Sequence, residues 1–191
     1  MKYNCIEKSM VLQKTDNLEV MKVIKELKNK KSSGSDDISN EIIKCCSPVV
    51  ENFLAIAFNK CIEESIFPKC LKIAKVIPIY KKGDRNKPEN YRPISLLSSI
   101  SKIFEKLILR RMMKFCEKNN IITKNQYGFR SRRSCADAIA TVTEFMRSEI
   151  DSKSTGQASF IDLQKAFDTL DHKILLEKEK NTDTGEQSTS F

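Results

Sequence analysis

Hydrophobic and polar positions along the chain follow two periods, and the change between them divides the sequence. From Asn17, a candidate N-cap, Leu18, Met21, Ile24 and Leu27 recur at helical spacing until "NKKSSGSDD" breaks the pattern at Gly34. A helix followed by a loop is predicted. "SPVVENFLAIAFNKCIEES" opens with Ser47 at a cap position and Pro48 at the first helical position, where its missing N–H costs nothing, and Val49, Phe53, Ala57 and Cys61 form the expected buried face. The period then shortens. Residues 73–80 are β-rich and residues 92–97 strand-like, with Gly83-Asp84 and the polar run 86–90 between them, so a basic β-hairpin is predicted.

Helical spacing returns with Ile100, Ile103, Phe104, Leu107, Ile108, Met112 and Phe115, while Lys102, Lys106, Arg110, Arg111, Lys114 and Lys118 fall largely elsewhere around the helix. After "NNIITKNQYGFRSRRS", Ser134 and Asp137 have capping-box spacing, and Ile139, Val142, Met146 and Ile150 continue a second helix. "DSKSTGQ" reads as a turn, "ASFIDL" as a strand with Asp162 near its end, and "QKAFDTLDHKILLEK" as a turn into helix. No internal repeat is present, and the polar residues 181–191, without an aliphatic side chain, are expected to be disordered.

Composition narrows the class. With 40% hydrophobic residues in 191, the chain can bury a core, and it has no run of about 18 apolar residues to span a bilayer. Residues 1–8 lack the apolar region of a secretory signal, so an intracellular protein, cytoplasmic or nuclear, is expected rather than a secreted one. Seven cysteines with no C-x-x-C and a single histidine, His172, support neither a disulfide framework nor a zinc site; reduced thiols are the expectation.

Charge says more by its distribution than by its total of +9. Residues 1–68 hold 10 basic and 10 acidic side chains, residues 69–133 hold 18 and 4, and residues 134–191 hold 6 and 11. A block this one-sided suits a surface laid along a phosphate backbone. An anionic membrane would attract it too, but the basic residues spread over turns and strands as well as helices, which favours nucleic acid.

Taken singly, the chemical signals each have an ordinary reading. A strand-terminal Asp before a helix, such as Asp162, is commonly a cap or a solvated loop residue. Lys81-Lys82 suits a solvated turn. Gly128 in "QYGFRSRR" could supply a positive φ, and Phe129 could be core.

Their order along the chain is more specific. "VIPIYKKGD", "NYRPISLLSSISKIFEKLILRRM", "NQYGFRSRRSCADAI" and "FIDLQKAFDTLDH" resemble, in this order and spacing, the reverse transcriptases of non-LTR (LINE-type, jockey-like) retrotransposons. The resemblance covers about residues 18–176 and includes "LKNKKSSGSDDISNEIIK", although Asp37 stands where the family more often shows Gly after the first Asp. It implies an α+β fold, the fingers and incomplete palm of a right-hand polymerase, mostly helical with a basic hairpin. Residues 1–16 would be a lead-in, 17–157 the fingers, 158–180 the start of the palm and 181–191 a tail.

The activity implied is RNA-templated DNA synthesis from dNTPs with Mg²⁺, acting on an RNA template with a DNA primer, or on an RNA–DNA hybrid, with no membrane partner. Asp162 would be catalytic and the first metal-binding aspartate, with the carbonyl of Ile161 or Leu163 as a further oxygen ligand. Phe167 falls where the family carries an aromatic that packs under the sugar and excludes a 2′-hydroxyl, with a core Phe as the lesser alternative. Lys82 and Arg92 fall near the positions that clamp the triphosphate, with Lys81 a competitor for the first. Arg130, Arg132 and Arg133 are candidates for template phosphates. Asp168, Asp171 and His172 are assigned to local hydrogen bonds and caps.

Two-metal transfer, with ions about 3.5–4 Å apart, needs carboxylates from separate segments. The family's second pair, in a Tyr/Phe-x-Asp-Asp hairpin, has no counterpart among these residues, since the adjacent Asp36-Asp37 lies in a Ser/Gly loop. The expectation is a truncated reverse transcriptase, inactive alone, binding Mg²⁺ weakly, with an unpaired palm edge. The alternative is a non-catalytic nucleic-acid-binding remnant.

Overall fold

The computed structural model describes residues 10–163, 166, 167 and 169–181. It divides into two units: the described residues up to Phe115 together with those from Lys178, and Cys116–Glu177. Most of the expected tail, and residues 1–9 of the expected lead-in, lie outside the described residues.

The first unit is built on α1 (Asn17–Glu26), α2 (Asn40–Cys45), α3 (Ser47–Glu63), the strands β1 (Ala74–Tyr80) and β2 (Tyr91–Leu97), and α4 (Ser99–Lys118). Its core joins Val20, Val23 and Ile24 of α1, Ile43 of α2, Leu54, Ala55, Phe58 and Ile62 of α3, and Ile103, Phe104 and Leu107 of α4. The Phe104 ring stacks on both Phe58, at 4.6 Å between centroids, and Phe67, at 5.3 Å. Rings of this kind combine large buried area with a defined stacking geometry, which fixes α4 against α3. Asn59 holds the entering chain from the side: its Oδ1 accepts from the Thr15 N–H at 2.7 Å and its Nδ2 donates to the Thr15 carbonyl at 2.8 Å.

Two caps differ from expectation, for local reasons. The N-cap of α1 is Asp16, whose Oδ1 accepts from the Glu19 N–H at 2.7 Å, so Asn17 is the first helical residue. The N-cap position of α3 falls to Cys46, not Ser47, and Ser47 donates to Glu51 instead. Cys46 also closes α2, in helical backbone (φ −88°, ψ 0°), so no extended residue is available there to cap by side chain. The inner face of α3 is also turned by one position from that expected. Val49 and Phe53, expected inside, are 66% and 67% exposed, and the neighbouring Leu54, Ala55, Phe58 and Ile62 are buried in their place. In α1 likewise Leu18 is exposed and Val20 and Val23 are inside.

The hairpin forms as predicted to within a residue, with Ala74 opposite Leu97 and Tyr80 opposite Tyr91. Past its end the Lys81 N–H donates to the Asn90 carbonyl at 2.8 Å. Because hydrogen-bonded and non-bonded pairs alternate, that bond places the opposed prolines Pro78 and Pro93 in a non-bonded pair. At such a pair N–H groups point outward, so each proline removes a donor from an outer edge of a two-stranded sheet that would otherwise invite further pairing.

The second unit contains the segment after α4, then α5 (Cys135–Asp151) and the start of α6 (His172–Asn181). The Ser134–Asp137 capping box is present in both directions. The Ser134 hydroxyl and N–H hold the Asp137 carboxyl below the ordinary carboxylate range, and the Arg133 charge acts in the same sense. The expected strand over residues 158–163 is not formed: this stretch is irregular and exposed. A strand exists only through its ladder, and no neighbouring strand is paired to it among the described residues. Asp171 behaves as expected, its Oδ1 accepting from the N–H groups of Lys173 and Ile174 at the start of α6. Asp168 and Lys165 lie outside the described residues.

Candidate nucleic-acid interface

In the first unit the basic hairpin is shaped by its tip. Gly83 has φ +95°, a left-handed conformation, and a Cβ there would meet the Asn90 side chain at 2.8 Å. Asn90 needs that space, since its Nδ2 donates to the Asp84 carbonyl at 2.7 Å. Asp84 in turn closes an Asx turn on the Asn86 N–H, and the Tyr91 hydroxyl donates to the Arg85 carbonyl. These bonds hold Lys82 on an ordered, exposed tip. Arg92 lies at the far side of the tip on β2, exposed, opposite Ile79. The two candidate triphosphate contacts therefore share one hairpin end, carried by side chains of different reach.

The base of the hairpin is gripped by the loop that contains Asp36 and Asp37. Ser98, buried between β2 and α4, donates from Oγ to Asp36 Oδ2 at 2.5 Å and accepts from the Ile100 N–H at 3.1 Å. The Ser99 Oγ lies 2.9 Å from the Ile38 carbonyl and 2.8 Å from Asn40 Oδ1. Asp36 thus holds the residue that leads into α4, and Asp37, at φ +53°, adopts the left-handed conformation that suits the glycine more usual at this place in the resembling family.

In the second unit the loop 119–134 carries Lys124, Arg130, Arg132 and Arg133 and no acidic residue. Arg130 is half-buried and donates from one guanidinium nitrogen to the Thr123 carbonyl at 3.1 Å, while its Nε is enclosed without a partner. Arg133 lies over the Tyr127 ring at 5.4 Å, and the Tyr127 hydroxyl is 2.7 Å from Thr141 Oγ1 on α5. Arg132 is exposed, at φ +59°. One loop therefore presents all three predicted arginines.

Two of the ordinary readings for this loop fail. Among the described glycines only Gly83 has positive φ, so Gly128 does not supply one; Phe129 does, at +59°. Nor is Phe129 core, being 89% exposed, with its ring edge-on to Phe167 at 6.1 Å. Phe167 is 79% exposed, so its reading as a core residue fails as well. The signal for Tyr127 and Phe129 in sequence is the way "QYGFRSRR" interleaves aromatic and basic residues.

Asp162 is exposed on the irregular stretch before Phe167. Among the described residues no group of three or more His, Cys, Asp or Glu side chains is placed to hold a metal ion. Asp162 alone does not make up the donor set of a two-metal site, which draws on several carboxylates. No helix among the described residues is long and apolar enough to cross a membrane.

In chain order the segment carries a basic hairpin, a loop of arginines and aromatics and an exposed aspartate on an irregular stretch. Residues 79–190 match the family described as reverse transcriptase (RNA-dependent DNA polymerase), and the chain belongs to that family. It is 37% identical over 163 residues to the probable RNA-directed DNA polymerase from transposon BS of Drosophila melanogaster. It is 36% identical over 163 residues to the RNA-directed DNA polymerase from mobile element jockey of the same species, each match taking in 85% of this chain. Identity to the probable RNA-directed DNA polymerase from transposon X-element is 33% over 178 residues, or 93% of this chain. These are polymerases of non-LTR retrotransposons. The aligned region spans 18% to 20% of the length of these relatives.

Proposed function

We propose that this chain forms the part of a non-LTR retrotransposon reverse transcriptase that grips the template and the incoming nucleotide, in a polymerase that copies RNA into DNA. The arginine loop carries this reading. Arg130, Arg132 and Arg133 share one loop that holds no acidic residue, and arginine contacts of that kind position a phosphate backbone without reading bases. On this reading residues 17–157 act as fingers and residues 158–180 open the palm.

Lys82 and Arg92, at one end of the hairpin, bind the triphosphate, the lysine as a point charge and the arginine as a fork. Phe167 packs under the sugar of the dNTP. Asp162 contributes one carboxylate toward Mg²⁺, alongside carboxylates from other segments of the polymerase. Asp162 by itself does not supply the several carboxylates that two-metal transfer draws on.

The test is dNTP incorporation on a primed RNA template, with the chain alone and with a second polypeptide supplying the relatives' downstream segment. Synthesis only in the mixture, abolished by Asp162→Ala, supports the proposal. Salt-sensitive binding with no synthesis in either case favours a non-catalytic nucleic-acid-binding remnant, and synthesis untouched by Asp162→Ala refutes the assignment of that residue.

A further inference from the structure

Phe129 combines two properties that are each unfavourable without a purpose. A bulky residue at φ +59° is strained, and an aromatic ring 89% exposed gains nothing from burial. Residues held in sparsely populated backbone regions concentrate at binding sites, where the strain aims a side chain. Gly128 beside it is not itself in the left-handed region, so the strain is carried where the ring is.

The ring is also partnered. Phe167 meets it edge to face at 6.1 Å and is 79% exposed, so the pair offers open π-faces to solvent. The same loop carries Lys124, Arg130, Arg132 and Arg133 with no acidic residue between 119 and 134. Of the two aromatics of the loop, Tyr127 already has Arg133 over its ring and its hydroxyl 2.7 Å from Thr141, which leaves Phe129 as the open one.

We infer that Phe129, with Phe167 edge-on beside it, is a stacking platform for an unpaired base of a single-stranded nucleic acid whose phosphates run over the arginine loop. Exposed aromatics beside a basic track are the chemistry by which single strands are held, and the preference is for unpaired bases because a duplex keeps its π-faces stacked internally. Arginines supply salt-dependent affinity without base contact, and Phe129 supplies a salt-independent increment that requires a free base. The inference rests on the nucleic-acid reading of the arginine loop and not on catalysis.

The test is titration of the full chain with single-stranded RNA of about 12 nucleotides carrying one 2-aminopurine, with the same sequence as DNA and as a duplex in parallel arms. Stacking on the platform quenches the probe fluorescence. Phe129→Gly suits the backbone at this position, so the expected result is an unchanged or higher unfolding midpoint together with a roughly tenfold loss of single-strand affinity and loss of the quench. Phe129→Trp keeps the quench. Phe129→Gly leaves the salt dependence as it was, whereas the triple Arg130/Arg132/Arg133→Ala change lowers the slope of log K against log salt by about 2.

Equal loss of affinity for duplex and single strand overturns the platform, as does wild-type affinity and quenching in Phe129→Gly. If Phe129→Gly instead dissociates a self-associated form of the chain and leaves RNA affinity untouched, the pair is an interface between copies and the proposal falls. Wild-type protein that binds no probe at low salt refutes the nucleic-acid reading itself, and the platform with it.

Discussion

Gly34→Ala isolates the grip on the hairpin base in one methyl group. A Cβ on Gly34 would lie 2.5 Å from the Ser98 nitrogen, 2.7 Å from the Leu97 carbonyl carbon and 2.8 Å from the Ser98 Cα. All three are backbone atoms, so no side chain can swing away, and the loop must retreat from the β2–α4 junction by roughly 1 Å to reach ordinary contact. Forcing extra volume into a packed site costs about 1–3 kcal/mol, and the retreat also stretches the Ser98–Asp36 hydrogen bond, charge-assisted and worth about 1.5–3 kcal/mol when fully lost. Against this stands a gain of about 0.4–1 kcal/mol from restricting the unfolded chain. The net expectation is a destabilisation of about 2 kcal/mol, or a midpoint lower by about 4–8 °C for a chain of this size. Thermal unfolding followed by circular dichroism measures it, with hydrogen exchange at the Leu97–Ile100 amides as the local readout. The sign is decisive. Gly34 is not in the left-handed region, so without the close approach the same change would stabilise, and a midpoint equal to or above wild type refutes the contact and the grip inferred from it.

Asp37→Gly in the same loop is expected to move stability the other way. Relieving a left-handed non-glycine residue gains about 1 kcal/mol, offset by an exposed Ser33 hydrogen bond at 3.4 Å and a Lys75 ion pair at 3.9 Å, so the midpoint should rise slightly; a fall would mean that the Asp37 carboxylate matters more than its backbone. Glu26 links α1 to α4 through Lys106, at 2.7 Å, and Arg110. The Lys106 hydrogen bond, against the opposing effect of burial, holds its carboxyl below the ordinary glutamate range, and Arg110 adds to this. A carboxyl depressed in the folded state contributes stability that is present above its unfolded value, about pH 4.3, and is lost as pH falls through the lower folded value. Denaturant midpoints from neutral to acid pH should therefore fall less steeply in Glu26→Gln than in wild type, and parallel curves would show that the pair does not couple to folding.

Much of the fold was legible in the sequence, because strong local signals coincided with tertiary demand. The hairpin, the long α4 and the Ser134–Asp137 box each combine a period with a turn or cap residue, and all three appear within a residue or so of expectation. Misreadings arose where a neighbour decides. In α3 apolar residues stand on more than one face, so spacing alone does not decide between Val49 and Phe53, which are exposed, and Leu54 and Phe58, which are buried. Residues 158–163 read as a strand by composition, but strand formation depends on a partner ladder, and none is paired to them among the described residues. Residue types and order were enough to nominate Asp162, Lys82, Arg92, Phe167 and the three arginines. What they could not show was that Phe129, which would pass for core in any hydrophobicity profile, stands exposed beside Phe167, because that follows from one backbone dihedral.

The most direct measurement for the account as a whole is titration of the purified chain against a labelled RNA–DNA hybrid at two salt concentrations, with Asp162→Ala and the triple Arg130/Arg132/Arg133→Ala variant alongside. The account predicts binding that weakens with salt, falls in the arginine variant and is unchanged by Asp162→Ala, since the loop grips the backbone and Asp162 acts only once a metal site is completed. Binding indifferent to the arginines, or none from a folded chain at low salt, would contradict it.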